Sequence, residues 1–376
     1  MERLPEMLAL RETRGLAWLR AIPLVLIVIM VPVEIFTSTV ELWAVIAAMP
    51  PLAALVNGPK ITTVVSAASV VACVTLETMD LGANIEDGHS ELLTVVLIGA
   101  TSVLIAYLRD RVVARLLSIE SVAEAAQRAL LPELPKRIGR IECAARYRAA
   151  TADSSLGGDF FDLLDTPWGI RAVLGDVSGH GLDAVMTTAA ILGSFREGAL
   201  DDVDLNALSV RLERRMTMCN QYRGDWTEEF ATTLLMAFDR DGSTVEIRSF
   251  GHHVPLLVRG SEVLPVALDP APPLGLVGEH HVEATSVGRA LAPGDLLVAF
   301  TDGLLEARDR TDRLYPLEDR LRERVAAGPP FTHPSEAVEF LFADVKAQGH
   351  RLTDDAAALV LRIRGPEDGP AVRRAS

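Results

Sequence analysis

The chain has 376 residues and a formal net charge of −15, and its mean hydropathy of +0.26 is high for a sequence with 23% charged residues. This length predicts one to three domains, and the acidic balance argues against nucleic acid as a partner, because phosphate binding needs a basic surface. The three cysteines are widely spaced and fit neither a zinc pattern nor a disulfide framework, which is typical of a reducing compartment.

The first third of the chain predicts a transmembrane domain over residues 1–108, since the apolar excess is concentrated there. Four spans are predicted, near residues 16–36, 40–56, 61–78 and 91–108, each extended by its flanks towards the roughly 20 residues of a spanning helix. The alternative is a set of buried core helices.

The charges of the connecting segments predict how these spans are oriented. Arginine or lysine lies before the first run, between the second and third, and after the fourth, whereas the other two connections carry acidic residues and no Lys or Arg. This is the positive-inside pattern. It predicts a multi-pass protein of the cell inner membrane, in contact with membrane lipid, with both ends in the cytoplasm.

Residues 109–131 are predicted to form a helical linker. From Ile105 the apolar positions follow alternating steps of three and four, interrupted by Arg115, and Pro132 ends the pattern. Such a seam is typical of a coiled coil, and it predicts a homodimer through residues 109–130. The alternative is a single amphipathic helix that lies on its own domain.

Residues 132–365 are predicted to form an α+β globular domain, followed by a disordered tail over residues 366–376. Turn signals between neighbouring short strands favour antiparallel hairpins. The predicted strands are Ile141–Ala149, Phe160–Leu164, Ile170–Leu174, Ala231–Phe238, Val245–Phe250, Pro255–Val258, Val282–Val287, Asp295–Phe300 and Ala356–Ile363. The predicted helices are Gly181–Glu197, Asp204–Asn220, Pro316–Ala326 and Ser335–Gln348.

Four acidic residues lie at the ends of predicted strands and are the candidate site: Asp159, Asp176, Asp302 and Asp354. Carboxylates gathered at one sheet edge repel one another unless divalent cations neutralise them. Two such cations would polarise a phosphoryl oxygen and activate a water molecule. For the sequence around Asp159 or around Asp176 taken alone, an ordinary Asp-Gly-type turn is an equally good interpretation.

Six motifs in order resemble a known family. They are Gly-Gly-Asp-Phe-Phe-Asp (157–162), Asp-Val-Ser-Gly-His-Gly (176–181), Ser-Phe-Gly-His-His (249–253), Pro-Pro-Leu-Gly-Leu (272–276), Thr-Asp-Gly-Leu-Leu-Glu-Ala (301–307) and Thr-Asp-Asp (353–355). The sequence resembles the metal-dependent PPM family of protein serine/threonine phosphatases, in its bacterial SpoIIE-like branch. The resemblance implies an αββα sandwich, with the metal centre at one end of two central sheets.

The resemblance also implies roles for the site residues and a pair of Mn²⁺ or Mg²⁺ ions as cofactors. Asp176 would bridge the metals with the backbone carbonyl of Val177 as a further ligand, Asp302 and Asp354 would hold the second metal, and Asp159 would bind directly or through water. Asp355 would orient Asp354 or help a third site, unless it is simply a solvated charge.

Two departures from the family pattern concern the general acid and a histidine. Eukaryotic members place a histidine, the proposed general acid, where Ser178 stands here, and His180 lies two residues further on. His252 is expected to support the site without binding metal.

The implied function is a membrane-anchored phosphatase. It would hydrolyse phosphoserine or phosphothreonine on a cytoplasmic regulatory protein, with a phosphorylated anti-sigma-factor antagonist as the substrate class. The alternative is a non-catalytic membrane receptor or scaffold with a phosphatase-like binding domain.

Overall fold

The computed structural model describes residues 4–37, 43–79, 85–149, 158–179, 181–223, 229–277 and 284–365. The chain divides into two units, residues 1–118 and residues 119–376. The predicted disordered tail lies outside the described residues. The predicted domain boundaries at 108/109 and 131/132 stay predictions.

The described part of the first unit is helical. Its helices are α1 (Leu4–Thr37), α2 (Trp43–Ala47), α3 (Met49–Val56), α4 (Pro59–Met79) and α5 (Ile85–Leu130), the last of which continues into the second unit. Many of their large apolar side chains are exposed, including Val28, Leu55 and Val71. Exposed apolar faces of this extent are unusual in water and normal in lipid.

Two of these helices are long and apolar enough to cross a membrane, judged by length and composition within the described residues. They are the segments Pro59–Met79 and Ser90–Arg115, while Trp18–Val33 and Ala44–Val56 are shorter apolar helical segments. The described residues of all four predicted runs therefore lie in helical segments, and two of these segments meet both the length and the composition of a span. The predicted count of four spans stays a prediction.

The second unit contains two antiparallel sheets. The first has the strand order β1-β2-β11-β10-β7-β8 and the second has the order β3-β4-β5-β6-β9. The strands are β1 (Arg137–Ile138), β2 (Ile141–Arg148), β3 (Phe160–Thr166), β4 (Gly169–Val177), β5 (Ala231–Phe238), β6 (Thr244–Phe250), β7 (Leu256–Arg259), β8 (Glu262–Pro265), β9 (Val287–Ala290), β10 (Leu296–Phe300) and β11 (Ala356–Ile363). The helices of this unit are α6 (Leu182–Asp201), α7 (Leu205–Arg223), α8 (Asp302–Leu305), α9 (Leu317–Ala327) and α10 (Pro334–Ala347).

Strand β10 shows how the layers are built. Side chains alternate along a strand, so Leu297 and Ala299 pack between the two sheets, whereas Val298 and Phe300 pack beneath α9 and α10. The second sheet repeats this arrangement, with Leu174 of β4 between the sheets and neighbouring side chains beneath α6 and α7. The result is the predicted αββα sandwich, in which the central strands are buried on both faces.

One predicted strand is wrong. Residues 282 and 283 lie outside the described residues, residues 284–286 are not in a strand, and the observed strand β9 covers Val287–Ala290. It pairs with Thr244–Ile247 at the edge of the second sheet, where three of its four residues are exposed. Such a strand carries no alternating apolar pattern, and the sequence gives no signal for its position.

Candidate metal centre

Two of the candidate carboxylates come from the second sheet. Asp159 directly precedes β3, and Asp176 is the last but one residue of β4. The pairing of Phe160 with Gly175, continued by one step, places Asp159 opposite Asp176. The Gly158 backbone allows this approach, because a Cβ at that position would lie 2.3 Å from the carbonyl oxygen of Val177.

The other candidate carboxylates come from the first sheet. Asp302 begins α8 and is separated from the end of β10 by Thr301 alone, and Asp354 and Asp355 directly precede β11. Strands β10 and β11 are paired up to Phe300 and Ala358, so the end of one strand lies beside the start of the other. Gly303 permits close contact there, since a Cβ on it would lie 1.8 Å from the carbonyl oxygen of Asp355.

The hydroxyl of Thr301 connects the two sheets at this end. Thr301 is fully buried, and its Oγ1 donates a 2.8 Å hydrogen bond to Oδ2 of Asp159. The same oxygen accepts a 2.8 Å hydrogen bond from the backbone N–H of Ala357 on β11. Thr301 therefore fixes Asp159 of the second sheet against the strand ends of the first.

The carboxylates of both sheets interact electrostatically. Burial raises the pKa of Asp159 well above its usual value, and the charge of Asp176 raises it further against the lowering effect of the Thr301 hydrogen bond. Burial also raises the pKa of Asp176 to about 8, with added repulsion from Asp302, Asp354 and Asp355. The pKa of Asp302 is raised by burial and then by Asp354. The structure thus brings all five acidic residues to one end of the sandwich.

The donor set fits hard divalent cations in its chemistry. Within the described residues, Asp159, Asp176, Asp302 and Asp354 form no ion pair with lysine or arginine, although Asp162 nearby is paired with Arg196 at 2.6 Å. Oxygen ligands carrying uncompensated negative charge are those preferred by Mg²⁺ and Mn²⁺. No three His, Cys, Asp or Glu side chains of the described residues already surround one point as a formed ion site. The fold therefore gathers the donor set at one end of the sandwich.

His252 is held by its neighbours on both ring nitrogens. The ring is buried, its Nε2 lies 3.1 Å from the carbonyl oxygen of Phe300, and its Nδ1 lies 3.0 Å from Oγ1 of Thr232. Because a carbonyl only accepts, Nε2–H donates to Phe300 and Nδ1 accepts from the threonine. Burial lowers the pKa of His252 to about 3, so the ring is neutral. It links the strand ends and has no nitrogen left for a metal.

The remaining predicted residues occupy different environments. His180 lies outside the described residues. Asp355 is buried and accepts a hydrogen bond from the hydroxyl of Tyr147, so it is not a solvated charge. The Oγ of Ser178, at the position of the eukaryotic general acid, accepts the N–H of Phe230 at 2.9 Å.

Sequence reasoning missed the side chains that hold the carboxylates in place. Thr301 and Tyr147 are separated from their carboxylate partners by 142 and 208 residues, so no local pattern connects them. Thr301 stands inside a quoted motif, and a hydroxyl at the end of a buried strand is the only signal that marks it.

Comparison with known proteins places the chain in a family. The family model described as Stage II sporulation protein E (SpoIIE) matches residues 166–364, which is more than half of the chain. The chain therefore belongs to the SpoIIE family, and the sequence resemblance is confirmed.

Solved structures with the same fold include a PP2C domain. The SiaA-PP2C domain of Pseudomonas aeruginosa is 21% identical, with a TM-score of 0.54, over 66% of this chain and 98% of that one. The RsbU and RsbW domains of a Mycobacterium tuberculosis protein are 26% identical over 61% of each chain, with a TM-score of 0.49, so this chain corresponds to only part of that protein. The catalytic domain of the phosphatase PstP, solved with two manganese ions, is 16% identical over 60% of this chain and 99% of that one, with a TM-score of 0.45.

Proposed function

We propose that this protein is a membrane-anchored, metal-dependent phosphatase that hydrolyses phosphoserine or phosphothreonine on a cytoplasmic regulatory protein. One observation carries the proposal: carboxylates from the ends of both sheets meet at one place, the pKa values of Asp159, Asp176 and Asp302 are raised there, and none of the four candidates forms an ion pair with lysine or arginine among the described residues. Membership of the SpoIIE family and the PP2C-type fold support the same function.

Each candidate residue has a role in this proposal. Asp176 interacts electrostatically with Asp159 of its own sheet and with Asp302 and Asp354 of the other, which suits a ligand shared by two ions. The carbonyl of Val177 is its neighbour on β4. Two divalent cations, Mn²⁺ or Mg²⁺, would supply polarisation of the phosphate ester and activation of the attacking water. Thr301 and Tyr147 would orient the carboxylates from behind.

The membrane anchor and the substrate belong to the proposal as well. The exposed apolar helices of residues 1–118 support contact with membrane lipid, and the connecting charges support a phosphatase domain in the cytoplasm. An anti-sigma-factor antagonist in its phosphorylated form is the substrate class that we propose from the SpoIIE-like motifs.

A homodimer through residues 109–130 is also proposed. These residues lie within one continuous helix, and Val112 and Val113 on it are exposed. Cysteine cross-linking along this helix in membranes tests the pairing, since crosslinks spaced at three and four residues support it and unpatterned crosslinks contradict it.

The experiment uses the full-length chain in detergent with Mn²⁺ and two substrates, a phosphoserine peptide and an aryl phosphate. Wild type is expected to hydrolyse both, and Asp176→Asn to lose at least 100-fold in rate, the order of effect expected when a key catalytic charge is removed. Asp165→Asn is the matched control, because Asp165 is an exposed carboxylate on β3. Wild-type turnover in Asp176→Asn at saturating Mn²⁺, with circular dichroism unchanged, would contradict the proposal. A chain that binds phosphopeptides and hydrolyses neither substrate would instead be a non-catalytic receptor or scaffold.

A further inference from the structure

A cavity of about 590 Å³ is lined in part by residues that lie close to the candidate carboxylates along the chain. Its floor is apolar and belongs to the core, with Phe342, Val345 and Leu352 all buried. Its rim carries four cationic side chains, Arg148, Arg310, Lys346 and Arg351, all of which are exposed. We name this feature the basic cavity.

The positive charge of the basic cavity is not neutralised by its own lining. Within the described residues, none of the four rim cations forms an ion pair with Asp or Glu. The one acidic lining residue, Asp309, is already engaged, because its Oδ1 accepts hydrogen bonds from the backbone N–H of Thr311 at 2.7 Å and of Arg313 at 3.0 Å. The rim therefore offers cationic donors to a ligand.

The basic cavity adjoins the acidic cluster along the chain. Arg351 precedes Asp354 by three residues, so their Cα atoms lie within about 11 Å of each other. Arg148 is the pairing partner of Ala356, which follows Asp355. A peptide bound with its phosphorylated residue at the carboxylates would therefore have its neighbouring residues within reach of the rim.

The sign of the charge is what distinguishes the basic cavity from the chain as a whole. With a net charge of −15, the protein repels acidic partners at long range. Four cations that form no ion pair within the described part of the chain attract an acidic segment at one place, and an apolar floor adds contact area for a side chain of the same segment. Both features match a segment that carries acidic and apolar residues.

We propose that the basic cavity docks an acidic segment of the phosphoprotein substrate and thereby selects substrates with Asp or Glu near the phosphorylated residue. The inference deepens the proposed function and rests on it for the identity of the partner. The docking itself is independent of hydrolysis, so it can be measured without turnover.

The test measures binding to the full-length chain in detergent, in the presence of a chelator. The probes are two unphosphorylated fluorescent peptides. One contains Asp and Glu, and the other has Asn and Gln at the same positions and is otherwise identical. We expect tighter binding of the acidic peptide at low salt, weakening as ionic strength rises. The double variant Arg310→Gln/Lys346→Gln is expected to weaken binding of the acidic peptide about fivefold to tenfold.

The control is the double variant Arg214→Gln/Arg289→Gln. It removes the same charge from exposed positions on α7 and β9, which belong to the other sheet layer. The proposal would be overturned if both double variants lost the same affinity for the acidic peptide, or if wild type bound the two peptides equally well. Binding to anionic lipid vesicles is measured as well. If the cavity variant lost affinity for the vesicles and not for the acidic peptide, the basic cavity would contact membrane, and this too would overturn the proposal. Hydrolysis of an aryl phosphate, measured in parallel, reports on the proposed function separately.

Discussion

The hydroxyl of Thr301 is the contact by which one sheet positions a carboxylate of the other. Thr301→Val keeps the shape but removes both hydrogen bonds, leaving Asp159 and the Ala357 N–H without this partner. We expect a loss of about 1–3 kcal/mol in stability and weaker Mn²⁺ binding. Thr301→Ser keeps the hydroxyl and should therefore keep both the stability and the Mn²⁺ binding of wild type. Titration calorimetry with Mn²⁺ measures the effect, and wild-type affinity in the valine variant would show that the contact does not position Asp159.

The raised pKa of Asp176 predicts how the stability of the chelated protein depends on pH. Burial, followed by repulsion from Asp302, raises this pKa from 3.8 to about 8 in the folded chain. Between these two values the folded state binds more protons than the unfolded state, so stability falls as pH rises through this window.

Asp176→Asn removes this pH-dependent loss of stability. The variant should therefore become more stable relative to wild type as the pH increases. Thermal unfolding with chelator present is expected to show a melting temperature about 2–4 °C above wild type at pH 8, the change that ~1 kcal/mol gives in a domain of this size. The difference should vanish near pH 4. Parallel pH profiles of the two proteins would contradict the burial and repulsion assigned to Asp176.

Sequence reasoning found the carboxylates of the site but not what holds them. Asp159, Asp176, Asp302 and Asp354 lie next to buried strands, so the apolar runs reveal their positions. The partners Thr301 and Tyr147 are set by the pairing of strands far apart in the chain, which only the fold determines.

At the scale of elements, the close contact of α8 with the start of β11 fixes the distance between Asp302 and Asp354. Gly303→Ala would place a Cβ 1.8 Å from the carbonyl oxygen of Asp355. We expect the two elements to separate, with a loss of about 1–3 kcal/mol or more in stability and a large loss of Mn²⁺-dependent hydrolysis.

The matched control for this glycine is Gly193→Ala in the middle of α6. A Cβ at Gly193 meets no atom within 4 Å, so this change should stabilise the helix by about 0.5–1 kcal/mol and leave hydrolysis intact. Denaturant unfolding and turnover of both variants give the answer. If the two variants had the same stability and the same turnover, the contact at Gly303 would not determine the spacing of Asp302 and Asp354.

The strands whose bounds were predicted correctly at both ends are buried along nearly their whole length. β5 and β11 match their predicted bounds, because continuous apolar runs with flanking turn residues mark such strands. The short edge strand β8, with one buried residue in four, was not predicted, and β9 was placed wrongly. At sheet edges the strand is selected by pairing with a neighbour, and that information is not local.

At the scale of the whole molecule, the orientation of the chain in the membrane is testable by labelling. In cells expressing Lys60→Cys or Gly88→Cys in a Cys219→Ser background, an impermeant maleimide should modify position 88 from outside and leave position 60 unmodified, as the connecting charges predict. Permeabilised cells, in which both positions become accessible, are the control. The reverse pattern would contradict four spans with a cytoplasmic phosphatase domain.

The central claim is that the acidic ends of two sheets bind divalent cations for phosphate ester hydrolysis, and counting bound Mn²⁺ tests it most directly. Full-length protein freed of metal is titrated with Mn²⁺ while free Mn²⁺ is followed by electron paramagnetic resonance. We predict two saturable ions per chain in wild type and the loss of at least one in Asp176→Asn, with Asp165→Asn unchanged. No saturable binding to wild type, or the same number and affinity in Asp176→Asn, would contradict the claim.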